Sequence, residues 1–310
     1  MKRFERFAVQ HPFLLIALIA ILCGLLVGCN TAPPPTPAEA RNPAPTPTPA
    51  PTATVPPTAT PEPESPFAFR SECTHANYRI YVSLPASYDP AGSERYPVIY
   101  LLDGDWYFDG SHWRMEGDGV AGIVAGLGAG GAIPESILVG IGYEEGNGRD
   151  TDFLWYPDRF YRFLTEELMP LVEEEYRADL SAGGTLIGHS DGGYFTMYAL
   201  FQHTGEDDAP FNRFVAVSGD YTKNNSDLFT EELRLHRRLE EIGQLDVALY
   251  MTVGGREEAR FVTSNQQIAE RLESRGYDRF RFQSEPYPAL THANIIRPAV
   301  VNGLRWVFDE

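Results

Sequence analysis

Cysteine is scarce in this sequence, with three residues, Cys23, Cys29 and Cys73, among 310. No two of them have metal-ligand spacing, and Cys23 lies inside an apolar run, so neither a structural zinc site nor an internal disulfide is expected. Basic residues are also short, 25 Lys and Arg against 43 Asp and Glu, for a formal net charge of -18. That deficit excludes the clustered positive face that nucleic acid requires and weighs against electrostatic docking on anionic lipid. There is no internal repeat, and a long hydrophobic run occurs only near the N-terminus. Histidine, at seven residues, is rare enough to be sorted one by one. What is present in quantity, 43% hydrophobic and 12% aromatic residues, suits a globular chain able to bury a core.

The one long apolar run, Pro12 to Val27, follows a positive stretch with Lys2, Arg3 and Arg6 and stops at Gly28-Cys29-Asn30. It is short for a membrane span, which needs about 20 residues, and reads as an export signal. Leu26-Val27-Gly28-Cys29 resembles the bacterial lipoprotein box, in which the signal is cut before a cysteine that then carries the lipid. The expectation is a signal peptide at 1–28 and lipidation at Cys29, with an extracytoplasmic protein held to a membrane by that anchor alone; a plain secretory signal is the alternative. Residues 29–66 are dominated by Pro, Thr and Ala, which cannot bury enough apolar surface to offset chain entropy. At about 3.1 Å per residue in polyproline II geometry, such a linker reaches at most roughly 100 Å.

From 67 to 310 the pattern changes to alternating strands and helices. NYRIYVSLP, YPVIYLLDG, SILVGIGY, GGTLIGHS, FVAVSGD, VALYMTVGG and RFRFQSEPY read as strands. RFYRFLTEELMPLVEEEY, GGYFTMYALFQ, LFTEELRLHRRLEEIG, SNQQIAERLESRG and IIRPAVVNGLRWVFDE read as helices, with Pro170 and Pro298 expected to kink or shift theirs. The alternation predicts an α/β domain: a mostly parallel central sheet, helices on both faces, no insertion long enough for a separate lid, and a site at the carboxyl ends of the strands.

Gly188-His189-Ser190-Asp191-Gly192, followed by Gly193, sits between the apolar strand GGTLI and the helical YFTMYALF. That is the strand-turn-helix setting of a G-x-S-x-G nucleophile elbow, in which Ser190 stands above the sheet and the backbone N–H of Asp191 points at the developing oxyanion. The glycines two before and two after the serine are expected to be demanded by the tight turn. The Asp191 side chain is expected to face away from the site. Serine needs a base. His11 is in the signal, His75 precedes the first strand, His112 lies far before the elbow, His189 points away from its neighbour, and His203 and His236 belong to helices. His292, on the loop between the last strand and the last helix, remains, and it completes the order serine, acid, histidine seen in α/β-hydrolases. The acid belongs on a loop after a strand between the two. Glu257, after VALYMTVGG, is the first choice, with Asp220 and Glu258 open alternatives.

With YLLDGDWYF, ILVGIGY and its downstream Arg149-Asp150-Thr151-Asp152-Phe153, GHSDGG, MTVGGREE and THANIIRPAVVNGLRWVF, the domain resembles the esterase family of α/β-hydrolases that includes enterochelin esterases, S-formylglutathione hydrolases, feruloyl esterases and mycolyl-transferring antigens. The resemblance runs from about Phe67 to Glu310. It implies a serine esterase acting on a small-molecule ester through an acyl-enzyme, with no metal or organic cofactor. It also implies a second oxyanion N–H from the loop after the LLDG strand, at Asp105 or a close neighbour. An acid after a V-G strand end supports Glu257, although some siderophore esterases work as a Ser–His dyad. The sequence departs from the family at Asp191, where an apolar or aromatic residue is usual. Trp106, Tyr107, Phe108 and Trp113 are candidates to line the site or to pack. Two other readings use the same residues or the same fold: acyl transfer, and a tethered siderophore- or glycan-binding protein without catalysis. Which ester is cleaved and the oligomeric state are not readable from the sequence.

Overall fold

The structure, a computed structural model, describes residues 65–310 apart from 116, 145–147, 206–208, 241 and 310. The chain separates into two units, Met1–Ala59 and Thr60–Glu310, and the described residues all belong to the second. The expected signal peptide, Cys29 and nearly all of the Pro/Thr-rich linker lie outside the described residues.

Eight strands form one sheet: β1 (Phe67–Arg70), β2 (Asn77–Ser83), β3 (Val98–Leu102), β4 (Ile137–Tyr143), β5 (Gly184–His189), β6 (Phe211–Val217), β7 (Gln244–Thr252) and β8 (Asp278–Ser284). Their order is β1-β2-β4-β3-β5-β6-β7-β8. β2 runs antiparallel to both its neighbours, and every pair from β4 through β8 is parallel. This is the mostly parallel sheet of an α/β-hydrolase fold. The central strands are apolar on both sides because both faces are covered. In β3, Val98, Tyr100 and Leu102 enter one core while Ile99 and Leu101 enter the other, as the two-residue period of a strand requires.

The helices are α1 (Gly104–Tyr107), α2 (Gly119–Ala129), α3 (Pro157–Arg162), α4 (Met169–Tyr176), α5 (Asp191–Phe201), α6 (Lys223–Leu239), α7 (Ala259–Arg275) and α8 (Ile296–Phe308). Residues of α3 to α7 pack in the first core, and those of α1, α2 and α8 in the second. α5, central and covered, is buried all round.

Of the two prolines, Pro170 shifts its helix as expected and Pro298 does not. Pro170 has no N–H to close a helical bond, and the chain answers with a π-helical stretch over Phe163–Leu168 between α3 and α4. Pro298 falls in the first turn of α8, where backbone N–H groups have no helical acceptor in any case, so it interrupts nothing. Three of the labelled elements escaped the sequence reading, the four-residue α1 among them. β1 is only four residues, FAFR, next to a proline-rich stretch. α2, GVAGIVAGLGA, is so glycine-rich that its intrinsic helix preference is poor, and burial of Val120, Ile123, Val124 and Leu127 holds it instead.

Candidate active site

At the end of β5 the chain turns sharply into α5. Ser190 holds φ 61 and ψ -121, a conformation that costs a non-glycine residue strain. Its N–H donates to the carbonyl of Val217 on β6 at 2.9 Å, and its own carbonyl accepts from Tyr194 N–H at 3.0 Å, so the turn is tied at both ends. A β-carbon at Gly188 would lie 2.2 Å from the Gly192 carbonyl oxygen, and one at Gly193 would lie 2.6 Å from that of Val217. Gly192 is less confined, with its nearest neighbour, Asp103 Oδ2, at 3.2 Å. The tight positions are therefore the glycines two before and three after the serine, not the symmetric pair the motif suggested.

The strand ends bring the other candidates to the same edge. Beyond β7, Glu257 is fully buried, and its Oε2 lies 2.6 Å from His292 Nδ1. Its Oε1 accepts from Ser218 Oγ at 2.6 Å and from the Gly254 N–H at 2.7 Å. With one oxygen satisfied by two donors, the other can only face His292. A carboxylate accepts, so Nδ1 carries the proton and Nε2 is left as the basic nitrogen. The two loops are laced together: Gly255 N–H donates to the Tyr287 carbonyl at 2.9 Å and Arg256 N–H to that of Leu290 at 3.0 Å. His292 is also flanked by rings, Phe261 at 4.8 Å and His189 at 4.4 Å between centroids. That contact links His292 directly to the residue preceding Ser190.

Of the alternative acids, Asp220 is buried but turned to Arg260 at 3.0 Å and to Thr222 Oγ1 at 2.6 Å. Glu258 is exposed and pairs with Arg260 at 3.1 Å. Neither meets His292. His189 is fully buried, with Nδ1 2.9 Å from Tyr107 Oη. Burial first, then the His292 charge, hold its pKa well below the ordinary histidine value, so it stays neutral.

Asp105 lies at the start of α1, and Gly142 on β4 leaves room for its backbone nitrogen, since a β-carbon there would stand 2.9 Å away. Burial, and then the charge of Asp103, push the Asp105 carboxyl up to about 6, against the pull of nearby N–H groups that include that of Tyr143. The Asp191 side chain is turned into the protein and not out to solvent. It is buried between Arg149, at 2.9 Å, and Lys223, at 2.5 Å. Asp103 is buried too and is gripped by Arg149 at 2.7 Å. Sequence reasoning passed over Asp103 and Lys223 and saw Arg149 only as part of a motif; an acidic residue directly after the serine was the one available signal.

The four aromatic candidates divide. Tyr107 and Phe108 are core residues. Arg114 is stacked on both Trp106, at 4.5 Å, and Trp113, at 4.6 Å, and Trp113 is 69% exposed. Trp113, Arg114 and Met115 face Ala293, Asn294, Ile296 and Arg297 across a cavity of about 390 Å³ that begins at the residue after His292. No group of His, Cys, Asp and Glu suited to a metal ion occurs among the described residues.

Comparison with known proteins adds to this geometry. The model of the family described as "Putative esterase" matches residues 71–285. The chain is 31% identical over 147 residues to the ferri-bacillibactin esterase BesA of Bacillus subtilis, covering 40% of this chain and 48% of that protein. It is 31% identical over 102 residues to a siderophore enterobactin esterase of Emericella nidulans, covering 33% of this chain and 32% of that protein. The matches thus span about half the length of the first relative and a third of the second. Among solved structures, the BES protein from Bacillus cereus superposes with a TM-score of 0.64 at 25% identity, over 78% of this chain and 93% of that one.

Proposed function

Because the chain belongs to that esterase family, we propose that it is a carboxylic ester hydrolase working through an acyl-enzyme on Ser190. The observation that carries this reading is the buried Glu257, bonded to His292 at 2.6 Å and committed to it by two donors on its other oxygen, beside the strained turn at Ser190.

In the proposed reaction His292 Nε2 takes the Ser190 hydroxyl proton as Oγ attacks the acyl carbonyl. Glu257 keeps the imidazole in the required tautomer and offsets the positive charge it acquires. The N–H groups of Asp191 and Asp105 receive the oxyanion, where fixed dipoles need no reorganisation. His292 then returns the proton to the departing alkoxide. Water repeats the sequence on the acyl-enzyme, giving the acid and restoring Ser190.

The substrate class follows the relatives, which are named as esterases of ferri-bacillibactin and enterobactin. The cavity beside His292 suits such esters, because Arg114 lines it together with an exposed tryptophan and with Arg297, itself paired with Asp118, in a chain that is otherwise strongly acidic. An aromatic, anionic acyl group would meet stacking and charge there. The proposed setting is extracytoplasmic, with residues 29–66 tethering the domain to a lipid on Cys29. Hydrolysis of simple aryl esters and of a catecholate trilactone siderophore, compared between wild type and Ser190→Ala, tests the reading. Turnover by the wild type and none by the variant is expected; equal turnover would overturn it.

A further inference from the structure

A carboxylate near a developing oxyanion opposes the reaction, and here two buried carboxylates, Asp103 and Asp191, lie on the turns that carry the assigned donors, beside the carboxyl of Asp105 itself. Asp191 carries one donor N–H itself. Asp103 starts the turn that carries the other: it holds φ 54 and ψ 45, and its carbonyl accepts the N–H of Trp106 at 2.9 Å and of Tyr107 at 3.2 Å. The β3–β5 ladder ends at the pair Leu101–Ile187, so backbone pairing between these strands does not extend to the two turns themselves.

One side chain joins them. Arg149 donates from Nε to Asp103 Oδ1 and from Nη2 to Asp103 Oδ2, both at 2.7 Å, and from Nη1 to Asp191 Oδ2 at 2.9 Å. Lys223 Nζ takes the remaining Asp191 oxygen at 2.5 Å. The guanidinium lies over Trp106 at 4.9 Å and Phe153 at 5.1 Å, which fixes its plane. Side-chain exposure is 16% for Arg149, 1% for Asp103 and 8% for Asp191, so the bonds are shielded from water. Within the bridge two carboxylates meet two cations, while the exposed Asp150 lies 3.9 Å from Arg149 and the Asp105 carboxyl stands close to Asp103.

We infer that Arg149 is a positioning residue: it fixes the separation of the Asp105 and Asp191 N–H groups and, with Lys223, offsets the Asp103 and Asp191 carboxylates that would otherwise repel the oxyanion. The inference rests on the oxyanion role proposed above. A lysine at 149 keeps the charge but has no fork, so it can hold one carboxylate and not both in register.

The test is steady-state hydrolysis of p-nitrophenyl butyrate by wild type, Arg149→Lys, Asp191→Asn and Ser190→Ala, with the folded fraction of each measured by circular dichroism. Arg149→Lys is expected to lower kcat about a hundredfold, the scale of one lost oxyanion donor, with KM moving less than about threefold. Asp191→Asn, which keeps shape but weakens the bridge, is expected to lower kcat about tenfold with KM again steady. Arg149→Ala should recover part of its kcat on addition of guanidinium ion, as a merely structural contact would not. Retained kcat in Arg149→Lys, a loss confined to KM, or a loss equal to the drop in folded fraction overturns the inference. If Arg149→Lys does not fold, Asp191→Asn decides alone, and unchanged kcat in it is an overturning result. A wild type without esterase activity sinks the proposed function and this inference with it. An active wild type with inactive Ser190→Ala and unimpaired bridge variants sinks the inference only.

Discussion

Ser190 occupies a backbone conformation that glycine adopts freely and serine does not, and the surrounding bonds hold it there. Such strain costs of the order of 1–3 kcal/mol, so Ser190→Gly should raise the melting temperature by a few degrees, at about 2–4 °C per kcal/mol, while abolishing turnover; scanning calorimetry checks it. The roles of the adjacent acids are equally separable. Glu257→Gln should lower kcat at least about a hundredfold, because the amide cannot hold the tautomer or offset the imidazolium. Glu258→Gln, exposed and paired only with Arg260, should stay within about twofold. Asp105 carries a pH signature. Its pKa is raised from 3.8 in the unfolded chain to about 6 in the folded one, so the folded state retains a proton the unfolded state has already lost. Stability from this group therefore falls as pH rises through that window and stays lowered above it. Asp105→Asn should gain stability over wild type near pH 8 and little or none near pH 4, as read by thermal unfolding at the two values.

At the level of elements, the elbow depends on two backbone approaches that admit no β-carbon. Gly188→Ala would set a methyl against the Gly192 carbonyl and Thr196 Oγ1, both within 2.5 Å. Overpacking of this kind costs about 1–3 kcal/mol, so lower melting temperature and lost activity are expected together. The sheet was legible in the sequence because its central strands are continuous apolar runs ending in glycine, serine or aspartate, and the elbow because strand, turn and helix follow one another without a gap. β1 and α2 were not legible, since a four-residue strand has too few alternations to register and a glycine-rich helix is defined by what it packs on. The prolines were visible, but their effect depended on helix starts that sequence places only within a few residues. The His292–Glu257 contact was readable as chain order and strand ends. Rejection of Asp220 and Glu258 was not, because it turns on Arg260, whose pairing with both appears only once α7 is in place. The bridge from Asp103 through Arg149 to Asp191 joins three segments far apart in the chain, and no periodicity encodes that.

Across the whole molecule, a chain of net charge -18 keeps its surface solvated; near the proposed site Arg149 and Lys223 are offset by Asp103 and Asp191, and Arg297 is paired with Asp118. Arg114, stacked on Trp106 and Trp113, supplies positive charge at the cavity beside His292, so kcat/KM for an anionic aryl ester should fall with rising salt more steeply than for a neutral one of the same size. The tether carries its own expectation: in a bacterial host, Cys29→Ala should move the protein from the detergent-rich to the aqueous phase on Triton X-114 partition, with esterase activity of the domain unchanged. The account turns on a nucleophilic serine, and its most direct test is labelling of the full chain with a fluorophosphonate probe followed by peptide mapping. The account predicts one modified residue, Ser190, with labelling lost in Ser190→Ala and strongly slowed in His292→Ala. Labelling elsewhere, or none in a correctly folded wild type, would contradict it.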